Sequence, residues 1–167
     1  MKQAHSSPPY LAGLRFDGRR VVVVGGGRVL ARRLGILLAS GPELVVVSPA
    51  VAPAVLRAAE AGDLVWHERP YRSGDLRGAW YAMACTDDPE VNAAVVAEAV
   101  THRIFCVRAD DGSLGTAVTP ASAREGDVQL AVLTGGDFRA SRRLRDRFAA
   151  DLADRAGSGH NGGDRHG

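Results

Sequence analysis

Residues 21–28 read Val-Val-Val-Val-Gly-Gly-Gly-Arg, and this short stretch decides the fold. Four β-branched residues in succession are typical of a strand that is covered on both faces, as the central strands of parallel sheets are. The glycines Gly25, Gly26 and Gly27 remove side chains where the backbone must turn and approach a ligand closely. Residues 29–40 then have the length and apolar content of a helix, whose first amides point at a phosphate. This sequence therefore predicts a strand, a glycine turn and a helix around a nucleotide phosphate.

Beyond this stretch, strands and helices alternate as far as residue 107. Apolar runs predict four further strands and helical spacing predicts two further helices: 44–47, 64–66, 79–84 and 104–107 for the strands, 51–61 and 91–100 for the helices. Such alternation predicts an α/β fold, a Rossmann-like parallel sheet with helices on both faces. Because crossovers are right-handed, we expect the glycine turn at the carboxyl edge of the sheet, near the point where the strand order reverses.

The pattern changes after residue 107. Residues 116–118 and 128–133 predict two strands with no helix between them, which indicates an antiparallel extension, and residues 138–152 have the spacing of an amphipathic helix. The last residues are Gly, His, Asn and Asp, which bury nothing. We therefore expect three regions: a nucleotide-binding Rossmann domain at 1–113, a small α+β unit for dimerisation and substrate contact at 114–155, and a disordered tail at 156–167.

Composition narrows the class of protein. The chain has 167 residues, of which 46% are hydrophobic and 24% charged, values typical of one globular domain with a small appendage. A net charge of +2 does not predict nucleic-acid binding, and no apolar stretch reaches the about 18–20 residues of a membrane span. Cys85 and Cys106 lie in apolar runs and are expected to be reduced core residues, which fits a cytoplasmic protein. His160 and His166 lie in the tail, and we predict no metal site.

The glycine turn matches the dinucleotide-binding fingerprint in part. Gly25 and Gly27 occupy its first two glycine positions, whereas Leu30 stands where a Gly or Ala permits close packing of helix on strand. Its context, directly after a strand and at the start of a helix, predicts nucleotide binding. The second strand ends in Ser48, Pro49 and Ala50 instead of the acidic residue that contacts the NAD ribose. From these residues alone the choice between NAD and NADP stays open, although Arg28 is available for a 2′-phosphate.

Two further segments follow strands at the same edge. Cys85 and Thr86 come directly after the fourth strand and are expected to border the cofactor, although Thr86 or Asp87 also suits a helix cap. Asp110 follows the fifth strand, where a carboxylate within reach of a nicotinamide is a candidate general base. From spacing alone, a simple turn over residues 110–112 is the favoured interpretation of this segment.

Five blocks, taken together, resemble the precorrin-2 dehydrogenase module of siroheme synthases over roughly residues 10–148. In chain order they are VVVVGGGRVLARRLGILLASG, LVVVSP, ACTDDPEVNAAV, IFCVRADD and VQLAVLTGG. The resemblance implies an NAD-binding Rossmann domain followed by a dimerisation region, and hence a homodimer. It also implies NAD-dependent oxidation of precorrin-2 to sirohydrochlorin in siroheme biosynthesis, with NAD⁺ accepting the hydride. Some members of the family also insert ferrous iron.

The resemblance further implies residue roles. It makes Asp110 the catalytic proton acceptor. It also assigns contacts with NAD to residues at three places, in addition to the glycines: Arg28 and Val29 after the turn, Ser48, Pro49 and Ala50 at the end of the second strand, and Cys85 and Thr86 after the fourth strand. We also hypothesise that arginines bind the carboxylates of the substrate: Arg108, Arg139 and Arg142. Two alternatives stay open, a bifunctional dehydrogenase and ferrochelatase, and a non-catalytic NAD(H)-binding sensor or interaction module.

This chain departs from the family pattern at three places. Leu30 replaces a small residue, Val107 replaces an Asn, and residues 137–139 (Asp-Phe-Arg) replace a Ser-Pro pair that commonly follows the two glycines at 135–136.

Overall fold

A computed structural model describes residues 7–158, with side chains described as far as residue 154. Five parallel strands form one sheet: β1 (Arg20–Gly26), β2 (Glu43–Val51), β3 (Val65–His67), β4 (Tyr81–Ala84) and β5 (Phe105–Arg108). Three helices connect them: α1 (Arg28–Ala39), α2 (Pro53–Glu60) and α3 (Pro89–Thr101). The strand order is β3-β2-β1-β4-β5, which reverses between β1 and β4. The predicted Rossmann-like parallel sheet is therefore confirmed.

The central strand β1 is buried on both faces, as its run of valines predicts. On one face Val21 and Val23 pack in a cluster with Leu30 of α1, and on the other Val22 and Val24 pack in a cluster with residues of α3. Burying each such side chain contributes about 1.5–3 kcal/mol, so this strand anchors the core. Leu30, which departs from the fingerprint, is itself fully buried. Its side chain forms part of the contact between α1 and the sheet.

The chain separates into two compact units, the first ending at Val118 and the second beginning at Thr119. The separation falls five residues after the boundary expected at 113. The reason is a short parallel contact that keeps the intervening segment on the sheet: Ala117 bridges to Val107, and the Ala117 N–H donates to the Cys106 carbonyl over 3.0 Å. Residues 116–118 were expected to form a strand of the antiparallel extension, and that expectation is wrong.

The second unit consists of a hairpin and a helix: β6 (Ala121–Glu125), β7 (Val128–Val132) and α4 (Phe138–Ser158), with β6 and β7 antiparallel. Strand β6 was not predicted, because its Ala-Ser-Ala-Arg-Glu sequence contains no strong strand former. The available signal was the two-residue loop Gly126–Asp127, in which Gly126 adopts a φ of +55°.

Helix α4 is the predicted amphipathic helix, and its start explains one departure from the family pattern. The carboxylate of Asp137 accepts hydrogen bonds from the N–H groups of Arg139 (3.0 Å) and Ala140 (2.8 Å), so Asp137 caps the helix. The helix extends to Ser158, and the first three residues of the expected tail are therefore helical. Residues 159–167, with His160 and His166, lie outside the described residues. Within 7–158, no helix has both the length and the apolar character that a bilayer crossing requires.

Candidate functional site

The glycine turn lies where β1 meets the end of β4. Gly25 adopts a φ of +105°, and a Cβ atom built there would lie 2.6 Å from the Cys85 carbonyl oxygen and 2.7 Å from its carbon. A Cβ at Gly26 would collide with the side chain of Val51 and lie 2.9 Å from the Ala50 oxygen. Both positions therefore require glycine, because the backbones after β4 and within β2 pass directly against the turn.

Gly27 has a different role, because the space beside it is open. No heavy atom among the described residues lies within 4 Å of a Cβ built at Gly27, and this residue is the N-cap of α1. A glycine N-cap offers no side-chain oxygen to the first amides of the helix, so these N–H groups stay available. Arg28 is exposed and Val29 is half-buried in this first turn. Open space in front of free amides at the positive end of a helix fits the pyrophosphate of a dinucleotide.

The end of β2 lies beside the glycine turn. Gly26 pairs with Val51 in the sheet, and the Ala52 N–H donates to the Gly26 carbonyl over 2.8 Å. Ser48 is buried and its hydroxyl donates to the Ala50 carbonyl over 2.6 Å, whereas Pro49 and Ala50 are exposed. The exposed pair, and not the Ser48 hydroxyl, is therefore what this strand presents to a ligand.

Cys85 extends β4 toward the glycine turn. Its N–H donates to the Val24 carbonyl over 2.9 Å, and its thiol donates to the Gly25 carbonyl over 3.5 Å. Burial raises the pKa of the Cys85 thiol to about 12. The group is therefore a protonated thiol at neutral pH, suited to packing and weak hydrogen bonding and not to nucleophilic attack.

Thr86 is fixed by Asn92 of α3, a residue of the block ACTDDPEVNAAV to which the sequence assigned no role. The Asn92 Oδ1 accepts from the Thr86 N–H (3.0 Å) and lies 2.9 Å from Thr86 Oγ1, while its Nδ2 donates to the Thr86 carbonyl (3.0 Å). Asn92 is fully buried. One signal was available: Asn92 precedes the buried Val95 and Ala99 by three and seven residues, which places a polar group on the apolar face of the helix.

The cap of α3 is Asp88, and not Thr86 or Asp87. Asp88 Oδ1 accepts from the N–H groups of Glu90 (2.8 Å) and Val91 (3.3 Å). The Thr86 hydroxyl accepts from the Asp88 N–H (3.2 Å) and lies 2.9 Å from the Asp88 carbonyl, so Thr86 holds the residue before the helix in addition to contacting Asn92.

Asp110 belongs to the same network. The second proton of Asn92 Nδ2 goes to Asp110 Oδ1 over 3.0 Å, and Arg108 donates through Nε to Oδ1 (2.9 Å) and through Nη2 to Oδ2 (2.8 Å). These donors, Arg108 first, hold the pKa of Asp110 below its ordinary value. The Asp110 side chain is 33% exposed and the Arg108 side chain 10%. The carboxylate is therefore ionised at neutral pH and in contact with water.

The simple turn proposed for residues 110–112 involves Asp111 instead. Asp111 Oδ1 accepts from the Ser113 N–H (3.0 Å) and its hydroxyl (2.6 Å). The two adjacent carboxylates thus have separate roles: Asp111 caps the 3₁₀ turn, and Asp110 binds Arg108 and Asn92.

Arg108 does not face outward, as binding of substrate carboxylates would require. Besides its contacts with Asp110, its Nη2 donates to the Pro89 carbonyl over 3.1 Å, and the residue is buried. The chain bends directly after β5, at residues 109 and 110, and the Asp110 carboxylate there pairs with the Arg108 guanidinium. The burial of Arg108 and its ion pair with Asp110 therefore argue against the hypothesis that this residue binds the substrate directly. Arg139 and Arg142 are exposed on α4, in the second unit.

The first unit thus brings most of the predicted residues into one connected edge. The glycine turn contacts the ends of β2 and β4, and Thr86 after β4 is joined through Asn92 to Asp110 after β5. A parallel sheet whose order reverses beside such a turn defines a dinucleotide-binding protein of the Rossmann class. Residues 13–121 match the protein-family model described as "Putative NAD(P)-binding", in agreement with the NAD expected from the sequence.

Similarity to known proteins identifies the family within this class. A precorrin-2 dehydrogenase of Bacillus subtilis is 30% identical over 124 residues, which cover 74% of this chain and 75% of that protein. The chain therefore belongs to the precorrin-2 dehydrogenase family, as its five sequence blocks indicate. A solved structure described as "SirC, precorrin-2 dehydrogenase" superposes with a TM-score of 0.71 at 29% identity, and the match covers 88% of this chain and 71% of that one.

Longer proteins contain the same module. The siroheme synthase of Chromobacterium violaceum is 37% identical over 136 residues, 81% of this chain and 29% of that protein. Siroheme synthase 1 of Aeromonas salmonicida is 33% identical over 145 residues, 86% of this chain and 31% of that protein. The chain thus spans about a third of the length of these two relatives.

Proposed function

We propose that this chain catalyses the NAD-dependent oxidation of precorrin-2 to sirohydrochlorin, a step of siroheme biosynthesis. The observation that carries the proposal is the Asp110 carboxylate, fixed by Arg108 and Asn92 and joined through Thr86 to the segment beside the glycine turn. The relatives named precorrin-2 dehydrogenase support the choice of reaction and of substrate.

The oxidation removes a hydride and a proton from the substrate, and bound NAD⁺ supplies the acceptor for the hydride. Within the chain, the glycine turn and the first amides of α1 at Arg28 and Val29 would hold the pyrophosphate. The exposed Pro49 and Ala50, next to Ser48, would border the adenosine. Cys85 and Thr86 would border the other half of the cofactor, since they follow β4 on the opposite side of the turn.

Asp110 accepts the proton in this mechanism. Its carboxylate is ionised at neutral pH, so it is ready to bind a proton without prior deprotonation. Its lowered pKa also means that the proton is held weakly. The one-third exposure of the side chain provides a route by which that proton passes to water after each turnover.

The direct test is incubation of the purified chain with precorrin-2 and NAD⁺, with NADH formation and the sirohydrochlorin spectrum followed together. We expect both signals to rise in a one-to-one ratio, because one hydride leaves per product. A folded chain that binds NAD⁺ but forms neither product would contradict the proposal and favour the sensor alternative. Ferrous iron added to preformed sirohydrochlorin tests the ferrochelatase alternative separately.

Replacement of Arg108 by methionine is expected to move the acid limb of the pH–rate profile toward higher pH. Arg108 is the largest cause of the lowered pKa of Asp110, so its removal raises that pKa and protonates the carboxylate at a pH where the wild type is still active. Methionine keeps an unbranched apolar stem in the buried space. The measurement is kcat as a function of pH, with Arg147→Met, an exposed change on α4, as the control that leaves the acid limb unmoved.

We also propose that the second unit mediates a homodimer and that the protein functions in the cytoplasm. The dimer is supported by large apolar side chains exposed on this unit: Val128, Phe138, Leu144 and Phe148. Two free, buried thiols, Cys85 and Cys106, are compatible with a reducing compartment.

A further inference from the structure

Asn92 uses its whole hydrogen-bonding capacity on two segments that follow different strands. A carboxamide has two donor protons and one oxygen that accepts two hydrogen bonds. In Asn92 the oxygen accepts from the Thr86 N–H and from the Thr86 hydroxyl, whose single proton is shared with the Asp88 carbonyl at 2.9 Å. The two Asn92 protons go to the Thr86 carbonyl and to Asp110 Oδ1. A fully buried amide with every bond made is a rigid link, because breaking any one of these bonds leaves a polar group unpaired.

From this geometry we infer that Asn92 is a positioning residue, which fixes the Asp110 carboxylate relative to the Thr86 segment at the cofactor edge. The inference rests on the proposed function, because it concerns how the proton acceptor of that reaction is held. It adds to that function a residue that is expected to touch neither substrate nor cofactor.

Arg108 cannot fill this role by itself. It lies on the same strand end as Asp110, two residues away, so the ion pair moves with that strand. Outside this segment, Arg108 donates a hydrogen bond to the Pro89 carbonyl at the start of α3. Asn92, in contrast, binds Thr86 and Asp110 directly, and α3 carries it on a buried face with Val95 and Ala99.

The chemistry of the side chain restricts what can replace it. An aspartate at position 92 would still accept from the Thr86 N–H, but it has no proton for the Thr86 carbonyl and would repel Asp110. A serine adds no charge, yet it is too short to reach both segments. These two substitutions therefore remove the link in different ways, one with a new charge and one without.

Glu98 provides a matched control on the same helix. Its carboxylate accepts from the Tyr71 hydroxyl (2.5 Å) and from the N–H groups of Gly74 (2.9 Å) and Leu76 (3.0 Å), and so holds the 71–76 segment on α3. Glu98→Gln weakens a structural contact of α3 without touching the network of Asp110. This variant therefore shows how a loss of stability alone changes kcat, the NAD⁺ dissociation constant and the Asp110 titration.

The experiment compares Asn92→Asp, Asn92→Ser and Glu98→Gln in the full chain. We measure kcat, the NAD⁺ dissociation constant, the Tm, and the pH titration of the Asp110 carboxyl by carbon NMR in the cofactor-free protein. For both Asn92 variants we expect kcat to fall on the order of 10–100-fold, with the NAD⁺ dissociation constant little changed. The Asp110 titration is expected to move to higher pH, because a donor to the carboxylate is lost.

For Glu98→Gln the Tm is expected to fall while kcat and the Asp110 titration stay at their wild-type values. The inference is overturned if the Asp110 titration is unmoved in both Asn92 variants, or if kcat falls no further than in Glu98→Gln. Failure of the proposed function gives a different result: the wild-type chain would then show no turnover. The effect of the Asn92 substitutions on the Asp110 titration could still be measured by NMR in that case, because the titration does not require turnover.

Discussion

Asp110→Asn is expected to lower kcat for sirohydrochlorin formation by about two to four orders of magnitude, the usual contribution of a positioned general base. The asparagine has nearly the same shape, and its oxygen can still accept from Arg108, so the fold is retained. What disappears is the negative charge and the ability to bind the departing proton. We expect the NAD⁺ dissociation constant to stay within a few-fold of the wild-type value, because the glycine turn is untouched. Rates from NADH formation and affinities from direct titration measure the two effects separately.

The neighbouring Asp111 provides the control for this substitution. Its carboxylate caps the 3₁₀ turn through the Ser113 N–H, and an asparagine oxygen can make the same bond. Asp111→Asn is therefore expected to keep nearly full activity. Equal losses in the two variants would mean that negative charge in this segment matters in general and that Asp110 has no special role as proton acceptor.

Gly25→Ala is expected to destabilise the protein by about 2–4 kcal/mol, the combined cost of an unfavourable backbone conformation and of overpacking. The added methyl group would lie 2.6 Å from the Cys85 carbonyl oxygen, at a φ of +105° that an alanine adopts poorly. Relief of this clash requires the ends of β1 and β4 to separate, so NAD⁺ affinity falls as well. Urea denaturation measures the first effect and NAD⁺ titration the second.

Gly27→Ala separates cofactor binding from folding. Gly27 has a φ of −81°, and its built Cβ has no heavy atom of the described residues within 4 Å, so the fold accommodates a methyl group there. That methyl group enters the open space in front of the α1 amides, where the pyrophosphate is proposed to bind. We expect wild-type stability and weakened NAD⁺ binding. A Gly25→Ala variant as stable as Gly27→Ala would contradict the account of the turn.

The first unit was predictable because its signals are local. Residues 21–24 are buried on both faces, and a run of valines followed by glycines is an unambiguous pattern for such a strand. Strand β6 was missed because its residues have weak strand propensity and its pairing depends on the turn at Gly126–Asp127. Propensity describes single residues, whereas a hairpin is stabilised by both strands together.

The site was predictable as a set of positions but not as a network. Placing Thr86 and Asp110 at one sheet edge follows from topology, which the sequence determines. The inward orientation of Arg108 and the four bonds of Asn92 depend on which polar groups meet across α3 and β5. The carboxylates of the substrate implied by the resemblance suggested that Arg108 faces a ligand, because a sequence does not show that a carboxylate of the chain already pairs with this arginine.

The two buried thiols have a practical consequence for the study of motion in this sheet. Burial raises the pKa of Cys85 to about 12 and that of Cys106 to about 11, so neither is an available thiolate in the closed protein. Cys85 directly follows β4 and Cys106 lies within β5, the two strands that lead to the Thr86 and Asp110 segments. An alkylating reagent therefore reacts with them mainly during transient opening of these strands, and the modification rate reports the free energy of that opening at each strand.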